Sequence, residues 1–321
     1  MDANNILLIL LAFIIGDFIF EYILGYLNAK SQTAIIPEEA KGIYNEEEYR
    51  KSYLYNKEKD KFGGISGLFS LSLTVAAFGF GWIGWLDTEL RQYIVNPIWL
   101  SLAFFGVILI ATDIFSIPFE LYNTFKIEAK YGFNKMTVGL FIGDKIKGYL
   151  MGAVIGGGLL ALLIWLIDDL GEAWWLYFWG VISVFIPILN MFYTSLIVPL
   201  FNKLTPLEDG ELRDAIEAYC KIVDFPLTNL FVVDGSKRST KANAYFSGMG
   251  KKKKVVLFDT LIKNHTTEEL VAVLAHEIGH YKKKHIKQTF VISILQMGLT
   301  LFILSLLVGN ENLSLALGAE K

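Results

Sequence analysis

The sequence predicts a mainly α-helical, multi-spanning membrane protein that carries a small α+β lobe on its cytoplasmic side. Three observations predict it. The 321 residues are 54% hydrophobic and only 19% charged, whereas soluble domains carry about a quarter charged residues. The apolar residues are gathered into six long runs, each near the roughly 20 residues that a bilayer requires. Lys and Arg are then shared out very unequally among the segments between those runs. A net charge of -3 gives no support to nucleic-acid binding.

The runs lie near Ile6–Leu27, Ile65–Leu86, Ile98–Ile117, Tyr149–Ile167, Ala173–Ile197 and Thr289–Val308. The first is long enough to span, and Met1–Tyr22 lacks the basic start and small-residue cleavage site of a secretory signal. Seven basic residues fall in 28–64, five in 118–148 and fifteen in 198–288, while 87–97 holds only Arg91 and the tail only Lys321. So 27 of 29 lie on one side, which the positive-inside rule assigns to the cytoplasm. Three regions follow: a five-helix membrane part (1–197), a cytoplasmic catalytic lobe (198–288), and a sixth membrane helix with a truncated end (289–321).

Within the lobe, Asp209–Val223 places Leu212, Ile216 and Tyr219 on one helical stripe. Asn229–Val233, Ala242–Ser247 and Lys254–Asp259 read as short strands of a small sheet. Thr266 and Glu269 form a capping-box pattern. The helix they start carries Leu270, Val273 and Leu274, and no proline interrupts it before the final span.

That helix carries His276-Glu277-Ile278-Gly279-His280. On a helix, His276 and His280 are about 40° apart, so both rings share one face and can grip one Zn2+. Glu277 is the candidate general base, taking a proton from zinc-bound water and passing it to the leaving amine. Cys220 is the only cysteine, so multi-thiolate metal sites and internal disulfides are excluded, and a metal is expected on nitrogen and oxygen ligands. His285 lies about 180° from His276 on a continuous helix and is expected to be structural or interfacial. His265 is expected in a loop. No third ligand is evident, since Glu311 and Glu320 lie beyond the last span. It is expected beyond residue 321.

These residues resemble the type I CAAX prenyl endopeptidases, integral-membrane zinc proteases. The resemblance runs from about Ile36 to Gly309. It rests on Ile36-Pro37 with the stretch from Tyr44 to Ser52, on Pro118-Phe119-Glu120-Leu121-Tyr122, and on Tyr131-Gly132-Phe133-Asn134-Lys135. It continues with the stretch from Pro199 to Leu207, the stretch from Ser239 to Phe246, and HEIGH itself. It implies a helical cage around an intramembrane chamber. It also implies cleavage of isoprenylated CAAX-type peptides near their C-terminus, and an edge strand at Asn243, Ala244 and Tyr245 that pairs with the substrate. The family has a further apolar helix and a glutamate ligand in an ExxxD pattern, neither of which occurs in this sequence.

Other features have two readings each. Asp17, Glu21 and Asp113 line a hydrated chamber or sit near an interface. Gly152, Gly156, Gly157 and Gly158 permit close helix packing. Lys251–Lys254 and Lys282, Lys283, Lys284 and Lys287 anchor the lobe or steer anionic groups. Two alternatives to CAAX processing stand: an HtpX-like quality-control membrane protease without a prenyl requirement, and a transporter with an incidental HExxH. Loop content favours the first reading over the second, and the lack of repeats disfavours the third. The expected surroundings are a peptide or protein substrate and the lipid bilayer, in a bacterial inner membrane or the endoplasmic reticulum.

Overall fold

Side-chain caps fix where several of the longer helices begin. In the computed structural model, Asp2 caps α1 (Ala3–Ser31), Asn45 caps α2 (Glu46–Gly79), and Asn96 with Pro97 starts α4 (Pro97–Tyr122) after the short α3 (Trp82–Arg91). Each caps by accepting from an orphan backbone N–H of the first turn, which contributes about 1 kcal/mol. Glu46, Glu47 and Glu48 add negative charge at the positive end of α2. The structure describes residues 2–319 apart from Pro226, Thr228 and 248–253. Lys251–Lys253 and Glu320 therefore lie outside the described residues.

The chain divides into two compact units. The first takes residues up to Gly132 and from Leu306 onward. Here α2 is 34 residues, about 51 Å at 1.5 Å per residue, longer than the ~30 Å apolar core of a bilayer. Its charged first half is thus a helical extension of the span, where the sequence suggested a loop. Likewise α4 runs on through a π-helical turn, Asn123–Glu128, so the second basic loop is shorter than expected. Gly84 and Gly318 let α3 meet the turn after α13 (Glu311–Ala316): a Cβ on Gly84 would sit 2.3 Å from the Gly318 oxygen.

The second unit, Phe133–Ser305, holds the lobe and three helical spans. Val138–Phe201 is helical over 64 residues, about 96 Å if straight. It comprises α5 (Val138–Met151), a π turn at Gly152–Gly156, α6 (Gly157–Leu170), α7 (Trp174–Phe192), a π turn at Tyr193–Ile197, and α8 (Val198–Phe201). At Gly171 the backbone takes φ +52, and α6 and α7 pack together through Leu166, Trp174, Phe178 and Ile182. Among the described residues five apolar helical stretches are long enough to cross a membrane, and the 64-residue one contains both the fourth and the fifth expected runs. The last, α12 (His285–Leu307), crosses α7 where Gly298 leaves room for Trp179, whose indole donates to the Ile294 carbonyl at 2.8 Å.

Among the described residues the lobe is a mixed four-stranded sheet with helices. The strands are β1 (Leu204–Pro206), β2 (Asn229–Val233), β3 (Ala244–Ser247) and β4 (Lys254–Phe258), in the order β1-β2-β4-β3. β2 and β4 are parallel, and the other two pairs antiparallel. The strand β1 carries no alternating signal and was not expected. α9 (Glu211–Ile222), α10 (Asp259–Asn264) and α11 (Thr267–Lys282) complete the lobe. Its core joins Ile216, Cys220, Leu257, Leu270, Leu274 and Ile278, each at most 3% exposed. Burying such an aliphatic side chain contributes about 1.5–3 kcal/mol.

Candidate metal centre and substrate strand

Leu270, Leu274 and Ile278 recur every four residues and tie one face of α11 to the lobe core. The capping box is formed: Glu269 N–H donates to the Thr266 hydroxyl and Thr266 N–H to the Glu269 carboxylate. With one face buried and the start fixed, His276 and His280 are left on an exposed face. Their Nε2 atoms lie 3.1 Å apart. Two nitrogens bound at 2.0–2.1 Å to one tetrahedral ion are separated by roughly 3.3 Å, so the pair fits a single metal. Glu277 is half-buried beside them. Among the described residues no group of three or more His, Cys, Asp or Glu could hold a metal, so the two histidines have no third protein ligand there.

The helix does not run on unbroken into the last span, as the sequence suggested. It ends at Lys282, Lys284 turns with φ +59, and α12 begins at His285. The break returns His285 to His280, with their Nδ1 atoms 3.0 Å apart. His285 therefore sits beside the metal pair rather than across the helix from it. His265, by contrast, lies at the end of α10, its Nδ1 3.0 Å from the Leu261 carbonyl.

β3 is the outer strand of the sheet among the described residues and packs against α11. Phe258 N–H donates to the Asn243 carbonyl at 3.0 Å, and Ala244 is opposite Leu257. Hydrogen-bonded pairs alternate in an antiparallel ladder, so Asn243 and Tyr245 face β4 with their backbone groups. Phe246 turns its N–H and C=O, and Ala244 its C=O, to the outer edge. The Ala244 N–H is held by the Asn243 side-chain oxygen at 2.9 Å. Burial pushes the Tyr245 phenol up from its ordinary pKa.

The loop before β3 is held by Arg238 and Asp144, which no motif marks, and by residues of the stretches named above. Arg238 makes a forked pair with Asp144 of α5, both contacts 2.8 Å, and also donates to Asn202 and the Phe201 carbonyl. Residues 133–135 and 238–240 are stitched by backbone bonds, and Lys241 lies 4.8 Å over the Phe133 ring. A cavity of about 430 Å³ lies between α7 and α12 beside His280 and His285, with Ile182, Ile186, Phe290 and Met297 in its wall. The buried Ser183 hydroxyl borders it without a hydrogen-bond partner among the described residues.

Residues 25–203 match the family described as CAAX prenyl protease N-terminal, five membrane helices, and residues 206–317 match peptidase family M48. The chain belongs to the CAAX prenyl protease branch of peptidase family M48. It is 36% identical to the CAAX prenyl protease 1 homolog of Arabidopsis thaliana, over 89% of this chain and 70% of that one. It is also 36% identical to CAAX prenyl protease 1 of Saccharomyces cerevisiae (91% and 68%). To the homolog of Homo sapiens it is 33% identical (89% and 70%). The crystal structure of S. mikatae Ste24p superposes with a TM-score of 0.90 at 34% identity, covering 97% of this chain and 74% of that one. This M48 member is an integral-membrane metalloendopeptidase, which acts on peptide or protein substrates and uses a metal cofactor. The transporter reading is thereby excluded.

Proposed function

We propose that the chain is a zinc-dependent endopeptidase that cleaves isoprenylated CAAX-type peptides near their C-terminus. The observation that carries it is the convergence of His276 and His280 Nε2 at 3.1 Å on the helix that packs against an edge strand. Zinc held by His276 and His280 would polarise the scissile carbonyl and acidify water. Glu277 takes the proton from the attacking water and delivers it to the leaving nitrogen. The substrate lies extended along β3 in the stretch Asn243, Ala244 and Tyr245, pairing with the edge-facing backbone groups of Ala244 and Phe246. The cavity beside His280 suits an aliphatic side chain next to the cleaved bond. The names of the relatives support the prenylated substrate class over the HtpX-like alternative. We also assign the lobe to the cytoplasm, on the distribution of 27 of 29 basic residues.

The test is Glu277→Gln in the metal-loaded enzyme. Turnover of a prenylated CAAX peptide should fall by about 10²–10⁴ while the metal content stays at the wild-type level. Retained turnover, or loss of metal in this variant, contradicts the assigned role. Equal cleavage of prenylated and unprenylated peptides would favour the quality-control reading.

A further inference from the structure

We propose that His285 is a positioning residue for the metal centre. Its Nδ1 accepts the Nδ1–H of His280 and so holds that ring in the tautomer and orientation that direct Nε2 to the metal. The proposal rests on the metal reading above and adds to it a residue that the HExxH pattern does not contain.

Three observations carry it. The two Nδ1 atoms lie at 3.0 Å, while His280 Nε2 is the atom that meets His276 Nε2. The two nitrogens of His280 therefore have separate partners. The rings of His280 and His285 are edge to face, 75° apart with centroids at 5.0 Å, which suits a hydrogen bond in place of stacking. Finally, the contact exists only because the helix is broken. On a continuous helix residues five apart diverge by about 140°. The left-handed turn at Lys284, φ +59 on a residue with a Cβ, costs roughly 1–2 kcal/mol and brings His285 back.

The chemistry then assigns the protons. A nitrogen that binds metal must present its lone pair, so His280 carries its hydrogen on Nδ1. Two bare nitrogens, or two N–H groups, would repel at 3.0 Å. His285 Nδ1 is therefore the acceptor, and its own hydrogen is on Nε2. Metal-binding histidines ordinarily donate their other ring N–H to an oxygen or water; an imidazole fills that place here. α12 fixes the acceptor in turn, because Trp179 and Gly298 lock that helix onto α7.

The experiment compares zinc affinity, by competition with a chelator, in the full-length wild-type protein, His285→Ala, His285→Gln and Glu277→Gln. His285→Ala should bind zinc about ten- to a hundred-fold more weakly, the usual cost of losing such a partner. His285→Gln, whose side-chain oxygen can accept the same proton, should recover most of the loss. Unfolding temperatures of the metal-free variants should match the wild type. Wild-type affinity in His285→Ala, or equal losses in the Ala and Gln variants, overturns the proposal. Failure of the wild type itself to bind zinc overturns the metal reading beneath it, whereas Glu277→Gln should bind normally. Should His285→Ala not fold, imidazole ¹⁵N spectra of the metal-loaded wild type decide the matter. They should show His280 protonated at Nδ1 and His285 bare at Nδ1, and the reverse assignment refutes the role.

Discussion

Arg238 shows how single residues connect the motifs. It precedes the stretch Ser239–Phe246, yet its guanidinium reaches Asp144, Asn202 and the Phe201 carbonyl. The pair with Asp144 is about four-fifths buried on both sides. Lysine carries the charge but not the planar fork. Arg238→Lys should therefore lose several charge-assisted hydrogen bonds and cost about 1.5–3 kcal/mol. Denaturant unfolding of the purified protein measures this, and an unchanged midpoint would mean the fork contributes nothing. The residue was not legible in the sequence because its partners lie 36 and 94 positions away. His276, Glu277 and His280 were legible, because their relation is set within a turn and a half of helix.

At the scale of the element, the edge strand makes a prediction that depends on register alone. The backbone N–H of Phe246 faces the free edge, and that of Tyr245 faces Val256 on β4. Phe246→Pro removes an edge donor and spares the ladder, whereas Tyr245→Pro breaks it. Phe246→Pro should raise the KM for peptide roughly ten-fold or more, about the worth of one hydrogen bond, with metal content unchanged. Tyr245→Pro should unfold more readily. Peptide kinetics and thermal melts of the two variants check this, and an unaltered KM in Phe246→Pro removes the edge from substrate binding. The strand itself was readable from composition, but which of its residues face outward was not. That follows from the register with β4, which composition does not dictate.

For the whole molecule, orientation is the property that the charge distribution predicts. A cysteine introduced at the exposed Glu208 should react with a membrane-impermeant maleimide only from the cytoplasmic face. Native Cys220 needs no removal. It is 3% exposed, and burial, with Glu217 nearby, pushes its thiol up from the ordinary value. Cys220 should therefore stay unlabelled at pH 8 until the protein is denatured. Labelling of the Glu208 position from the outer face alone would invert the topology.

The sequence by itself determined the apolar runs, the start of α11 and the helical spacing of His276 and His280. Each depends on neighbours: apolar content over about 20 residues, a Thr three residues before a Glu, two histidines four apart. The tertiary structure decided the break at Lys284 and the outward-facing residues of β3. A left-handed φ on Lys284 has no compositional signature, because lysine ordinarily avoids that region. Only the packing of α11 on the lobe and of α12 on α7 holds the chain to it. For that reason His276 and His280 could be read from their spacing, and His285 could be placed beside them only by the fold.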